Sequence, residues 1–310
     1  MKHILLGLAA WALLSGAACS QAQSTPEALA KAVQSAFGKG DFEAARRLAE
    51  MDMAPADLHF FYFDAVRECA GESVCTARLA AADNDLIDRL KEQASQINAE
   101  VPTVEGTVVI EMKARDGSSS GKMSMPYAKA GGAYKLVSIA YTAQEIAKLK
   151  ATTNESLVKE FFTRGIRGSA MSEPRTDWET AATKLPADGG DVGKAYLKQT
   201  RAMAAAVDAK DPDAAMNSGS QMAKIIYRDK NFDGTLIPLA ERKAKLKVQA
   251  LRMVRDVTIK GGYQMGDSAV LVIEARDGIG WITRGPILLV DDGGVWDKAG
   301  DHFIRYPANP

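Results

Sequence analysis

The chain has little of what most catalytic and metal sites are made of. It contains only 3 histidines and 3 cysteines in 310 residues, and none of the histidines has a histidine or cysteine near it at zinc-ligand spacing. Basic and acidic residues balance at 39 each, so the basic excess typical of nucleic-acid binding is missing. These shortages predict a protein that is not an enzyme, holds no cofactor and does not bind nucleic acid.

Long apolar runs are also missing, except at the N-terminus. Lys2 precedes an apolar run from Ile4 to Leu14, and small residues follow up to Ala18. This order is typical of a secretory signal, and the run is too short for a membrane-spanning helix. Residues 1–22 are therefore predicted to be a signal peptide, and the protein is expected in the periplasm.

Two cleavage sites are possible in this segment. Gly16-Ala17-Ala18-Cys19 resembles the lipobox of bacterial lipoproteins, although Gly16 stands where that motif normally has an aliphatic residue. The resemblance implies that Cys19 is lipidated, and Ser20 after it implies sorting to the outer membrane. The alternative is cleavage after Ala22, which would give a soluble periplasmic protein.

The other two cysteines favour the lipobox. Cys69 and Cys75 lie close together in the sequence, and an oxidising compartment would favour a disulfide between them. Cys19 is then left over, and lipidation accounts for it. We expect the Cys69–Cys75 disulfide to stabilise the fold rather than to do redox chemistry, which usually uses a Cys-x-x-Cys motif.

Helix and strand signals recur in one order in two parts of the chain. The landmarks are an aspartate before a helix, a strand ending in Ala-Arg-Asp-Gly, and a Gly-Gly turn before a closing strand. They lie at Asp41, 108–117 and 131–134 in the first part, and at Asp211, 270–278 and 293–296 in the second. The sequence therefore predicts an α+β protein of two tandem repeats, each with N-terminal helices followed by a curved antiparallel sheet.

The predicted boundaries follow from this repeat. The first domain covers residues 24–141, a helical connector covers 142–190, and the second domain covers 191–310, with a break near Met171. In the first domain, helical spacing predicts a fourth helix that includes Leu79. In the second domain, the ambiguous stretch from Ala244 is predicted to be a helix to about Val254, followed by a strand over 255–263.

This arrangement resembles the nuclear transport factor 2-like (cystatin-like) superfamily over residues 24–141 and 191–306. The resemblance implies that each sheet wraps around a long helix to form a cone, whose mouth can hold a ligand, an active site or a partner. Enzymes of the superfamily use an acid, a tyrosine or a histidine inside the cone, and we find no such motif here. Fold alone does not decide function.

The densest aromatic run lies in the third predicted helix. It consists of His59, Phe60, Phe61, Tyr62 and Phe63. At helical geometry these side chains point in different directions, and aromatic rings contribute much of the area buried in protein cores. We interpret the run mainly as core, with an apolar pocket or an interface as the alternative.

One loop matches the first half of a calcium site. Asp229, Asn231 and Asp233 offer oxygen ligands at alternate positions, and Gly234 would allow the sharp turn. The second half fails, because the twelfth position is Ala240. We predict a polar turn between helices, with calcium as a weak alternative.

The sequence leads to two main hypotheses about function. The first is a non-enzymatic, lipid-anchored periplasmic binding protein that acts on a protein partner, for example an immunity-type inhibitor of a secreted antibacterial effector. The second is a carrier that holds a small apolar or lipid-like ligand in the cone of the first domain, with the aromatic run as its lining. An isomerase or dehydratase ranks third.

Overall fold

The computed structural model describes residues 23–164 and 177–308. The predicted signal peptide with Cys19, and the predicted break near Met171, lie outside these ranges. The described chain combines α-helices with curved antiparallel sheets. The α+β class predicted from the sequence is confirmed.

The first part of the chain builds a five-stranded sheet. Its helices are α1 (Pro26–Lys39), α2 (Phe42–Arg47), α3 (Ala56–Gly71) and α4 (Asn84–Gln96). Its strands are β1 (Ala49–Glu50), β2 (Ser73–Ala80), β3 (Ala99–Glu100), β4 (Gly106–Ala114), β5 (Ser120–Ala130), β6 (Ala133–Val137) and β7 (Ala140–Tyr141). The sheet has the order β1-β6-β5-β4-β2, with β1 parallel to β6 and the other pairs antiparallel, while β3 pairs with β7 apart from it.

The second part builds a six-stranded sheet. Its helices are α5 (Ala143–Ala151), α6 (Asn154–Arg164), α7 (Trp178–Ala181), α8 (Gly190–Ala209), α9 (Pro212–Met216), α10 (Gln221–Ile226) and α11 (Leu239–Arg252). Its strands are β8 (Thr183–Leu185), β9 (Val254–Met265), β10 (Ser268–Asp277), β11 (Trp281–Asp291), β12 (Trp296–Asp301) and β13 (Ile304–Pro307). The order is β12-β11-β10-β9-β8, and β13 pairs with β11.

Local sequence signals fix several of the helix ends. The Thr25 hydroxyl accepts a hydrogen bond from the Ala28 N–H at 3.2 Å, and the Asp41 carboxylate accepts one from Ala44 at 2.9 Å. Such caps satisfy N–H groups that the first turn of a helix leaves free. The prediction of a helix followed by a strand after Ala244 is confirmed, because α11 ends at Arg252 and β9 begins at Val254.

The prediction for Leu79 is wrong. Leu79 lies in strand β2 and pairs with Val108, and the helix that follows begins only after the Asp83 cap. Cys75, Ala77 and Leu79 all pack against the first core at intervals of two residues, which is the period of a strand. The helical spacing that we assigned to Leu79 came from combining this strand with α4.

The Cys69–Cys75 disulfide predicted from the sequence is confirmed. It joins the last turn of α3 to strand β2, with the two Cα atoms 5.4 Å apart, inside the range for native disulfides. Cys69 is buried in the first core. The bond therefore holds the edge strand of the first sheet against the helix that packs on it.

The helices of the predicted connector pack on the second sheet. Val158, Phe161 and Phe162 of α6 share a core with Trp178, and the strand residues in it are Val270, Val272 and Leu288. The Phe162 ring stacks on the Trp178 ring with centroids 4.8 Å apart. Helix α6 is thus one of the layers that cover the second sheet.

Candidate interaction surface

The aromatic run of α3 divides between the core, the junction of the two parts and the surface. Tyr62 and Phe63 are buried in the first core, and the Tyr62 hydroxyl donates a hydrogen bond of 2.7 Å to the Ala45 carbonyl. Phe63 stacks on Phe42 with centroids 5.8 Å apart. These rings fill space between helices, so they pack as core residues and do not line an open cavity.

His59 and Phe60 face the second part of the chain. The Trp281 ring of β11 lies edge-on to His59 at 5.5 Å, and Phe60 and Trp281 share one small core. The guanidinium groups of Arg252 and Arg305 lie 5.5 and 5.9 Å from the Phe60 ring centroid. These four contacts form a junction between the first and second parts.

Two polar atoms of this junction are buried without a hydrogen-bond partner. They are Nε2 of His59 and Oδ2 of Asp277. Burial lowers the pKa of His59 and raises the pKa of Asp277 to about 6, because each loses the water that favours its charged form. The other Asp277 oxygen accepts the N–H groups of Ile279 and Trp281 at 3.1 and 2.9 Å. Asp277 therefore stabilises the turn between β10 and β11 that places Trp281 at the junction.

The calcium-like loop is held together by its own hydrogen bonds. Asp233 Oδ1 accepts the Thr235 N–H and hydroxyl at 2.9 and 2.7 Å, and the Asn231 side-chain amide donates to the same hydroxyl at 3.0 Å. Asp229 is exposed. Over the described residues, no group of three histidine, cysteine, aspartate or glutamate side chains is placed to hold a metal. The loop is organised as a turn.

Exposed apolar side chains are concentrated in this loop and the residues next to it. Of the eight exposed large hydrophobic side chains within the described ranges, six lie in residues 222–239, with exposed fractions from 39% to 90%. They are Met222, Ile225, Ile226, Phe232, Leu236 and Leu239. We call these six residues the apolar surface.

Helix α10 carries apolar residues on its exposed side as well as on its buried side. Ala223 and Tyr227 bury one side in a local core with Leu246, while Met222, Ile225 and Ile226 remain exposed on the other. The Asp297 carboxylate accepts the Gln221 N–H at 3.0 Å, which fixes the start of the helix against β12.

The loop after α10 brings Phe232 next to the exposed face of the helix. The Arg228 guanidinium lies 4.1 Å from the Phe232 ring centroid and donates to the Ile225 carbonyl at 3.2 Å. Lys230 and Leu236 form a β-bridge across the loop. Phe232, the most exposed of the six at 90%, is thus held in place rather than left on an unstructured segment.

The buried side chain of Arg242 holds the helices under the apolar surface together. Its Nε and Nη2 atoms donate to the Tyr227 carbonyl at 3.0 and 2.7 Å, and Nη2 also reaches Asp213 at 2.6 Å. The side chain is buried on α11. One guanidinium therefore ties α9, the end of α10 and α11 together, and so positions the apolar surface.

Sequence reasoning did not find the apolar surface. Met222, Ile225 and Ile226 have the spacing of a buried helix face. Asp229 and Asp233 were interpreted only as possible calcium ligands, so the exposure of Phe232 between them was not predicted. The available signal was the density of large apolar side chains in a short segment that also contains Gly234 and Pro238.

Comparison with known proteins adds no relative. No protein-family model, no curated protein and no solved structure matches this chain. Among the described helices, none is both long enough and apolar enough to cross a membrane.

Proposed function

We propose that this chain is a non-enzymatic periplasmic protein, anchored by a lipid at Cys19, that binds a protein partner through the apolar surface. The observation that carries the proposal is the concentration of six exposed large hydrophobic side chains in residues 222–239. Single exposed hydrophobic residues are common on soluble proteins, but clustered ones mark interaction sites. Exposed Phe, Met, Ile and Leu side chains supply the apolar contact that anchors a partner.

A narrower form of the proposal identifies the class of the partner. In this form the protein is an immunity-type inhibitor, and it binds and occludes a secreted antibacterial effector. The identity of the protein bound at the apolar surface decides between this form and other envelope partners. The carrier hypothesis has less support, because the Tyr62 and Phe63 rings assigned to its lining pack against other core residues.

We further propose that the two parts are copies of one nuclear transport factor 2-like domain. The ends of α1 and α8 support this, because a left-handed residue, Gly40 or Lys210, is followed in both by an aspartate whose N–H binds a carbonyl five residues back at 2.9 Å. Strands β4 and β10 both run into Ala-Arg-Asp-Gly, and left-handed Gly-Gly pairs precede β6 and lie between β11 and β12.

Site-specific photo-crosslinking in the native host tests the binding proposal. A photoreactive amino acid at position 232 is expected to form an adduct with one protein, which mass spectrometry identifies. The same amino acid at exposed Lys91 on α4 is the control and is expected to give none. With the purified partner, the double variant Phe232→Ser and Leu236→Ser should weaken binding about tenfold or more, because truncated anchors typically lose this much.

This experiment also contains the result that would sink the proposal. Both side chains are largely exposed, so the double variant should melt at the wild-type temperature. If a stable double variant binds the partner as tightly as wild type, the apolar surface is not part of the interface. Absence of any adduct at position 232 would count against binding of a protein there.

The anchor is tested separately. In cells fed a clickable fatty acid, wild type should carry the label and sediment with membranes, because a lipidated cysteine holds the chain at the bilayer. Cys19→Ala should lose the label and appear in the soluble periplasmic fraction. An unlabelled wild-type protein would instead favour cleavage after Ala22.

A further inference from the structure

The apolar surface lies in a strongly basic region of the chain. Residues 221–252 contain eight basic and three acidic side chains, whereas the whole chain has 39 of each. The excess is therefore local, and the segment that carries it includes the six residues proposed to bind a partner. A charge balance that is neutral overall but uneven across the surface points to electrostatic recognition.

Most of this positive charge has no acidic partner. Within the described ranges, Lys224, Lys230 and Lys243 make no ion pair, while the nearby Glu241 carboxylate is already paired with Lys245 at 3.0 Å. We call Lys224, Arg228, Lys230 and Lys243 the basic rim. The loop also carries Asp229 and Asp233, so the four cations of the basic rim and these two carboxylates together leave a net positive charge of two.

A groove lies beside the apolar surface. Ile226 lines both this surface and the groove of about 530 Å³ that runs between α3 and α11. In the groove, Arg67 is paired with Asp64 and Glu72. Arg252, by contrast, is exposed and has no carboxylate partner in the part of the chain that the structure describes. Three acidic and three basic side chains line the groove, so it is neutral overall and the positive excess lies at the basic rim.

We infer that the partner presents an acidic segment, in which apolar side chains that cover Phe232 and Leu236 are flanked by carboxylates that meet the basic rim. This inference rests on the proposed function. Opposite charges at an interface rim speed association and select against partners that carry like charge.

Charge reversal tests this inference in the full chain. The triple variant Lys224→Glu, Lys230→Glu and Lys243→Glu is compared with a control triple, Lys113→Glu, Lys122→Glu and Lys129→Glu, on exposed lysines of the first sheet. We expect the first triple to reduce the adduct at position 232 about tenfold or more, and the control to leave it unchanged. A triple change to glutamine, with melting curves for each variant, separates loss of charge from loss of fold.

The purified complex gives a second measurement. Its affinity for the identified partner should fall steeply between about 50 and about 500 mM salt, because salt screens charges at an interface rim. The triple glutamine variant should show a much weaker salt dependence. An affinity that does not change with salt would overturn the acidic partner.

The possible results distinguish this inference from the proposal beneath it. An adduct that survives charge reversal, or that both triples reduce equally, overturns the acidic partner but leaves protein binding in place. If the otherwise wild-type chain with the photoreactive amino acid at position 232 forms no adduct, both the binding proposal and the acidic partner are wrong. If the Cys19→Ala chain sediments with vesicles of about three parts phosphatidylethanolamine to one part phosphatidylglycerol, and Phe232→Ser abolishes this, the surface docks on anionic lipid and the inference is wrong.

Discussion

Phe162→Ala is expected to destabilise the second part of the chain by about 3–5 kcal/mol, the usual cost of removing a buried aromatic ring. Phe162 is fully buried and lies among three other rings, those of Phe161, Trp178 and Tyr263, at 4.8 to 6.3 Å between centroids. Alanine would leave a cavity that these rings border and cannot easily fill.

Urea unfolding followed by tryptophan fluorescence measures this loss. Trp178, Trp281 and Trp296 all belong to the second part, and Trp11 lies in the predicted signal peptide, so the signal reports on the second part. Phe61→Ala is the matched control, because Phe61 is 69% exposed and surface substitutions usually change stability by less than about 0.5 kcal/mol. A Phe162→Ala protein as stable as this control would mean that α6 does not belong to the second core.

Arg242→Leu is expected to destabilise the same part by about 2–4 kcal/mol, because the buried Tyr227 carbonyl loses both of its charged donors. It should also disturb the apolar surface, since Tyr227 ends the helix that carries Met222, Ile225 and Ile226. We therefore expect the adduct at position 232 to decrease in this variant, although Arg242 is buried and does not touch a partner.

Asp213→Asn separates the two functions of Arg242. Asp213 is 66% exposed on its side chain, whereas Arg242 is buried. Solvent at Asp213 weakens the ion pair, so this variant should lose less stability than Arg242→Leu. Unfolding midpoints in urea compare the two variants. An equal loss in both would show that the ion pair, and not the carbonyl contacts, holds α10 in place.

Local features of the fold were predictable because their causes lie within a few residues. Thr25 and Asp41 cap helices as expected, and Cys69 and Cys75 are close enough in sequence to pair without knowledge of the fold. Leu79 was assigned wrongly because its neighbours in β2 and the residues of α4 together imitate a helical spacing. Only pairing with Val108, a contact made by a later strand, shows that Leu79 is in a sheet.

The candidate site was less predictable, because exposure depends on the whole fold. Ile225 and Tyr227 look equally suited to a core, yet Tyr227 is buried and Ile225 is not. The difference arises because α10 packs against α11. Arg242 of α11 stabilises this packing through its hydrogen bonds to the Tyr227 carbonyl at the end of α10. In the same way, Phe60 and Trp281 meet at the junction although they are far apart in the sequence.

The division of the sheets along the chain has a consequence for the order of folding. All strand pairs of the first sheet lie within residues 49–137, and all those of the second within 183–307. As the chain emerges N-terminus first, the first sheet and its disulfide have all their partners before any strand of the second sheet is present. Phe60 then lacks its contact with Trp281 until β11 is made, and Ala56 and Tyr141 are its cluster partners from the first part. The first part therefore spends that interval with an aromatic ring partly exposed and prone to misassembly.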